Sequence, residues 1–230
     1  MNSDTQSTTG NRDTKEEKIT ENDETELLRD DKEMPVEVER KTGVSFPIEL
    51  SDGKELKAVG VRKKSVLGLP IKIYSFGIYT DSQKLMGVLK SKIGKAEANT
   101  TNEMCRIVID NPVGITVKMV IVFSNLTMSM VRKNFNETVE AAIRKLGGEK
   151  NELTKRIMGE AKDGVKLTRG SELEITCLPG YVLETKVHGK VVNKFESEML
   201  CRACVYLYLG DDPLDKEAKE KFGMSLLSLV

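Results

Sequence analysis

Tryptophan is absent from the 230 residues, and aromatic residues amount to only 5%. Surfaces that stack single-stranded bases need aromatic platforms, so that class is excluded. A basic excess is missing too. Lys and Arg number 36 and are balanced by 36 Asp and Glu, against the pattern of a protein that grips nucleic acid. No apolar run approaches the ~20 residues of a membrane span. Four cysteines are too sparse for a disulfide-stapled domain, and a reduced, intracellular setting is expected. Histidine occurs once, as His188, so the Cys201-x2-Cys204 pair lacks a second pair of zinc ligands. The cysteines are read as small buried hydrophobes, with no metal site. His188 precedes Gly189 and reads as a turn residue without an orienting partner for base catalysis. Phosphate-loop, dinucleotide-fold and nucleophile-elbow motifs are all missing, and no cofactor is expected.

What is present divides the chain in two. Residues 1–34 hold eleven acidic and five basic residues and almost nothing apolar. Such a stretch cannot bury enough surface to offset its ordering entropy, and it reads as a disordered acidic tail. Residues 35–230 read as one folded domain whose interior is built from aliphatic residues and ten methionines. Alternation or β-branched richness predicts strands over 36–40, 44–50, 54–66, 70–79, 104–109 and 115–123. A three-strand meander is predicted over 172–177, 181–187 and 190–195, with turns at Leu178-Pro179-Gly180 and His188-Gly189. Helical spacing predicts helices over 84–93, 127–146, 149–161, 196–209 and 213–222. The second carries an apolar stripe of Val131, Phe135, Val139, Ala142 and Leu146. The order favours an α+β domain with a largely antiparallel sheet and helices packed on it.

The hairpin of residues 59–79 carries the sharpest geometric expectation. If it pairs about Gly68, Arg62 faces Tyr74 at one level on one side. A slip of one residue would put them on opposite faces. Under a cover of helices, guanidinium and phenol would converge in an apolar pocket and suit one carboxylate or enolate oxygen. The other reading is an exposed arginine beside Lys63 and Lys64, and composition alone favours it.

The same hairpin carries a resemblance. Ala58-Val59-Gly60-Val61-Arg62, followed by Tyr74-Ser75-Phe76-Gly77-Ile78-Tyr79, resembles the chalcone isomerase family. Two further stretches resemble its plant fatty-acid-binding branch. One is Leu200-Cys201-Arg202-Ala203 leading to Tyr208-Leu209-Gly210-Asp211-Asp212-Pro213. The other is 120–123 leading to Leu126-Thr127-Met128-Ser129-Met130. The resemblance runs from about Met34 to Val230. It implies an open-faced β-sandwich, a large antiparallel sheet against a layer of helices with a cleft between them.

Enzymes of the family close chalcones to flavanones, with an Arg and a Thr on the hairpin, Tyr, Lys and Asn on the central helix, and a late-helix Thr. Carried over by position, the Arg is Arg62 and the strand Thr is Tyr74. The helix Tyr, Lys and Asn are Val131, Asn134 and Thr138. The late Thr is Leu207. Only the arginine survives. Val131 and Leu207 cannot hydrogen-bond and Asn134 lacks a charge, so the polar network that would hold a developing enolate is gone.

The resemblance therefore implies non-catalytic binding of free long-chain fatty acids in the cleft, in support of plant fatty-acid metabolism. Arg62 and Tyr74 would hold the carboxylate, and Val131, Asn134, Phe135, Thr138 and Leu207 would line the pocket. Two alternatives stay open: a non-catalytic helper that binds a flavonoid or polyketide, and an isomerase with altered chemistry. The Met-rich stretch at Met128 and Met130 suits either an adaptable pocket wall or plain core. A monomer is expected. The resemblance suggests the chloroplast stroma, whereas the acidic tail does not read as a transit peptide and leaves the cytoplasm as the alternative.

Overall fold

The computed structural model describes residues 35–93, 100–112, 114–124, 126–149, 152–158 and 166–229. The expectation for residues 1–34 lies outside them. A short hairpin of β1 (Val36–Glu39) and β2 (Val44–Pro47) comes first. A long hairpin follows, β3 (Glu55–Val66) and β4 (Leu69–Thr80). Helices α1 (Ser82–Ile93) and α2 (Thr101–Asp110) lead into β5 (Ile115–Ile121). Helix α3 (Met128–Lys145) and the 3-10 turn Glu152–Arg156 lie between two small paired strands, β6 (Leu126–Thr127) and β7 (Lys166–Leu167). The meander β8 (Glu172–Leu178), β9 (Val182–Val187) and β10 (Lys190–Glu196) precedes α4 (Glu198–Leu209) and α5 (Lys216–Leu227).

Six strands form one antiparallel sheet in the order β10-β9-β8-β5-β4-β3. The α+β architecture expected from the sequence is present. Side chains alternate across the sheet, and its two faces differ in chemistry. Phe76, Ile78, Met119, Ile121, Leu173, Ile175 and Leu183 lie on the face under the helices and are buried. Helix α4 lies over them. It is apolar nearly all round, and nine of its residues are buried, as a helix inside a core must be. Its Tyr208 ring meets Phe76 edge-on at 4.8 Å. Helix α5 presses on β3 at Gly60, where a Cβ would lie 2.6 Å from the Phe76 ring and 2.8 Å from Ala218. The opposite face carries Lys118, Glu172, Glu174, Glu184, Lys186 and Lys194 in a ladder of ion pairs.

The long hairpin turns on Leu67-Gly68, both at positive φ (51° and 80°), with Val66 opposite Leu69. Such a turn matches the twist of the strands. Leucine in this conformation costs about 1 kcal/mol relative to Gly or Asn. This tight turn alone would put Arg62 out of step with Tyr74. A register shift between Arg62 and Lys63 inserts Ile73 as an extra residue, and Arg62 lies opposite Tyr74. The expected pairing thus arises from a tighter turn plus a bulge. His188 and Gly189 also form a positive-φ turn (49° and 73°), as expected.

Three expectations need correction. Residues 104–109 are not a strand but the middle of α2. Thr100 caps that helix, accepting from the Glu103 N–H at 3.2 Å, and Met104, Cys105, Val108 and Ile109 are its buried residues. The β-branched content suggested a strand, but the stripe has helical period and a capping box precedes it. The helix expected over 149–161 is only the short 3-10 turn within the described residues. The last helix starts after Asp215, not at Pro213. Asp215 accepts from the N–H groups of Glu217 (3.0 Å) and Ala218 (3.2 Å) and is the true cap.

Candidate functional site

Where α3 crosses the helix-covered face of the sheet, the two layers do not close completely. A cavity of about 330 Å³ remains, within the range of small-molecule sites. Its floor is Ile71 and Ile73 of β4, Met119 and Ile121 of β5 and Leu173 of β8. Its roof is Met130, Val131 and Phe135 of α3, and Leu207 of α4 closes one end with Leu214. Arg62, Lys64, Tyr74, Asn134 and Thr138 are the polar members of the wall. All seven residues singled out from the sequence, namely Arg62, Tyr74, Val131, Asn134, Phe135, Thr138 and Leu207, therefore line one cavity. Met130 lines it too, whereas Met128 is fully buried core.

The polar groups are not equivalent. Asn134 is occupied on both sides: its carbonyl accepts from Lys64, and its amide donates to the Met130 carbonyl at 2.8 Å. The Thr138 hydroxyl donates to the Asn134 backbone carbonyl at 2.6 Å. These groups satisfy one another and the helix. Arg62 differs. Among the described residues its guanidinium takes part in no ion pair or hydrogen bond. Asp215, which caps α5 beside β3, is used otherwise, accepting from the Val61 N–H at 3.1 Å and facing Lys41 at 3.6 Å.

Opposite Arg62 stands Tyr74, whose hydroxyl lies 3.4 Å from that of Tyr208. Tyr208 in turn donates to the Met119 sulfur at 3.6 Å. Burial pushes both phenols above the usual tyrosine range, and the Arg62 charge offsets this only in part. Both therefore keep their protons near pH 7; that of Tyr208 is directed at Met119, and Tyr74 is the phenol that can donate toward the cavity. One unpaired cation and a neutral phenol converge at one place in an otherwise apolar cavity. Among the described lining residues there is no Asp, Glu, His or Cys, so none of them supplies an ordinary carboxylate, imidazole or thiolate base.

Sequence reasoning missed the floor. Ile71, Ile73, Met119, Ile121 and Leu173 read only as core, because their convergence needs the β4–β5–β8 register. Lys64 and Leu214 gave no signal. The four cysteines are buried and free. The hydrogen bond with Cys201, together with burial, holds the Cys177 thiol well above the normal range, and burial with the nearby Cys201 does the same for Cys204, as befits apolar filling.

A family model described as chalcone isomerase-like matches residues 40–222. Chalcone isomerase-like protein 1 of Humulus lupulus is 52% identical over 198 residues, which cover 84% of this chain and 92% of that protein. Fatty-acid-binding protein 1 of Arabidopsis thaliana is 36% identical over 198 residues, 84% of this chain and 71% of that one. The crystal structure of an Arabidopsis thaliana fatty-acid-binding protein superposes with a TM-score of 0.79 at 34% identity, covering 85% of this chain and 98% of that one.

Proposed function

This chain belongs to the chalcone isomerase-like family, and from that premise we propose that it binds free long-chain fatty acids without catalysis. The carrying observation is Arg62, an unpaired guanidinium at the side of an apolar cavity, with the neutral Tyr74 phenol opposite it. Arg62 is half-buried beside an apolar wall and has no counter-ion among the described residues, so an anionic ligand supplies the partner it lacks. The carboxylate accepts from the guanidinium and from the phenol. The acyl chain runs over Ile71, Ile73, Met119 and Ile121 under α3.

Magnitudes divide the work. A twelve-carbon acid has eleven carbons beyond the carboxyl, and at about 0.8 kcal/mol each their burial offers roughly 9 kcal/mol before the costs of association. A charge-assisted hydrogen bond adds about 1.5–3 kcal/mol. The tail supplies affinity, and Arg62 with Tyr74 supplies orientation and selection of acids over neutral lipids. The similarity to proteins named for fatty-acid binding supports this reading. So does the chemistry of the wall. Val131 and Leu207 cannot polarise a substrate, and both ends of the Asn134 amide are already engaged.

A second reading, a helper that binds a flavonoid or polyketide, draws on the hop relative named after chalcone isomerase. One experiment separates the two: mass spectrometry of ligands extracted from the purified full chain, with Arg62→Ala alongside. Fatty acids carried by the wild type and lost from the variant are the expected result. A wild type that arrives empty and ignores added laurate and palmitate, yet takes up naringenin chalcone, overturns the fatty-acid reading. Turnover of that chalcone to flavanone overturns the non-catalytic one.

A further inference from the structure

The cavity's neighbour is an arm whose tip has no folding role that accounts for its residues, although nearer the sheet Lys64 donates to Asn134 and Lys72 to the Lys41 backbone carbonyl. Strand β4 pairs with β5 only from Tyr74 to Thr80, so the hairpin beyond Tyr74 extends past the sheet as a two-stranded arm. At its tip Leu67 is 99% exposed and Leu69 68% exposed. Leu67 moreover holds a positive φ, a place where Asn or Gly would be relaxed and more soluble. An apolar residue kept exposed and strained points to use. The arm is also one-signed. Between Arg62 and Lys72 the sequence has four basic residues and no acidic one. Lys63 and Lys72 are exposed and lie opposite each other. Lys64 and Ile71, one step further along, line the cavity together with the exposed Met130.

We propose that this arm docks on anionic lipid bilayers, with Leu67 and Leu69 entering the interface and Lys63 and Lys72 meeting the headgroups. Exposed aliphatic residues ringed by lysine and no acid are complementary to such a surface. They match a neutral protein patch less well, because the charge of the arm is uncompensated. Docking would bring the cavity mouth to the bilayer, where a fatty acid can pass without crossing water. That last role rests on the proposed ligand, whereas docking itself does not.

The test is co-sedimentation of the full chain with phosphatidylcholine vesicles, with and without phosphatidylglycerol. Alongside it, laurate binding, thermal midpoint and sedimentation velocity are measured in solution. Leu67→Asp with Leu69→Asp forms one variant, and Lys63→Gln with Lys72→Gln another. The wild type should partition strongly only onto the anionic vesicles. The lysine variant should lose roughly thirtyfold, at about one kcal/mol per lysine. The leucine variant should lose binding altogether. Both should keep the thermal midpoint and the laurate affinity of the wild type. A wild type that binds laurate but leaves both vesicles untouched overturns the docking proposal alone. A wild-type dimer that the leucine variant makes monomeric overturns it as well, and assigns the tip to self-association. Vesicle binding without laurate binding supports docking and overturns the cargo.

Discussion

The two faces of the six-stranded sheet are made by the same strands and do opposite things. Leu173 and Glu174 are neighbours on β8. Leu173 is buried and lines the cavity, whereas Glu174 joins Lys118 in the ladder on the other face. On the ladder face Lys118 pairs with Glu172 and Glu174 and Lys194 with Glu184 across neighbouring strands, and Lys186 pairs with Glu184 on its own strand. On the covered face the polar groups around the cavity are satisfied locally, and Arg62 is the charged exception among the described residues; the Thr80 and Thr185 hydroxyls, also without partners, carry no charge. An unpaired charge is unremarkable among lysines and glutamates in water. It is informative only where the surroundings are apolar, so the contrast between the faces makes Arg62 a site rather than one more surface arginine.

Breaking the contrast at its root should have the largest effect. Leu173→Ala removes buried contacts and should cost about 2–5 kcal/mol of stability in urea unfolding. Glu174→Ala, one residue away, should cost about 1 kcal/mol or less. Equal losses would mean the faces are not energetically distinct. Next comes Arg62→Ala, read as affinity. Laurate should weaken tenfold to a hundredfold by calorimetry, whereas the alcohol of the same length should change little. A parallel loss for both ligands would make Arg62 a packing residue. Tyr74→Phe removes one neutral hydrogen bond and should cost laurate about two- to tenfold. Because burial raises the Tyr74 pKa, wild-type binding should hold from neutrality to at least the usual tyrosine range near pH 10. It should fall only at higher pH, as the phenol loses its proton, or on the acid side as the ligand's carboxyl becomes protonated. Loss of binding between pH 7 and 9 would exclude the phenol as donor.

Much of this was legible in the sequence, and the reasons differ by element. The sheet strands declared themselves through alternation and turns. The Arg62–Tyr74 pairing was also legible, although the turn is tighter than the expected one and Ile73 restores the step. Helix α2 was misread because Ile107, Val108 and Ile109 have strand propensity, and tertiary packing of a helical stripe overrode it. The cavity floor was not legible at all. Ile71, Met119, Ile121 and Leu173 are ordinary strand residues, and only the pairing of three strands distant in sequence brings them to one wall. That Asn134 is bonded on both sides was hidden for the same reason, since its partner Lys64 comes from a strand seventy residues earlier.

The smallest expected effect sharpens the contrast by reversing sign. On the ladder side of the sheet Thr116 and Thr176 are buried, and their hydroxyls pair at 3.0 Å. On the covered side Thr185 is 1% exposed, and its hydroxyl has no partner among the described residues. The two faces thus handle the same residue type differently. A paired hydroxyl contributes, and a solitary one in an apolar layer is a cost. Thr185→Val keeps shape and strand propensity and removes only the solitary group, so it should stabilise the fold by about 1 kcal/mol. Thr116→Val should do the reverse, since it strands the Thr176 hydroxyl, at about 1–3 kcal/mol. Opposite shifts of the thermal midpoint are the expected outcome. Destabilisation by both would mean that Thr185 has a partner on the covered face, and that face would then be less purely apolar around the cavity than its lining residues indicate.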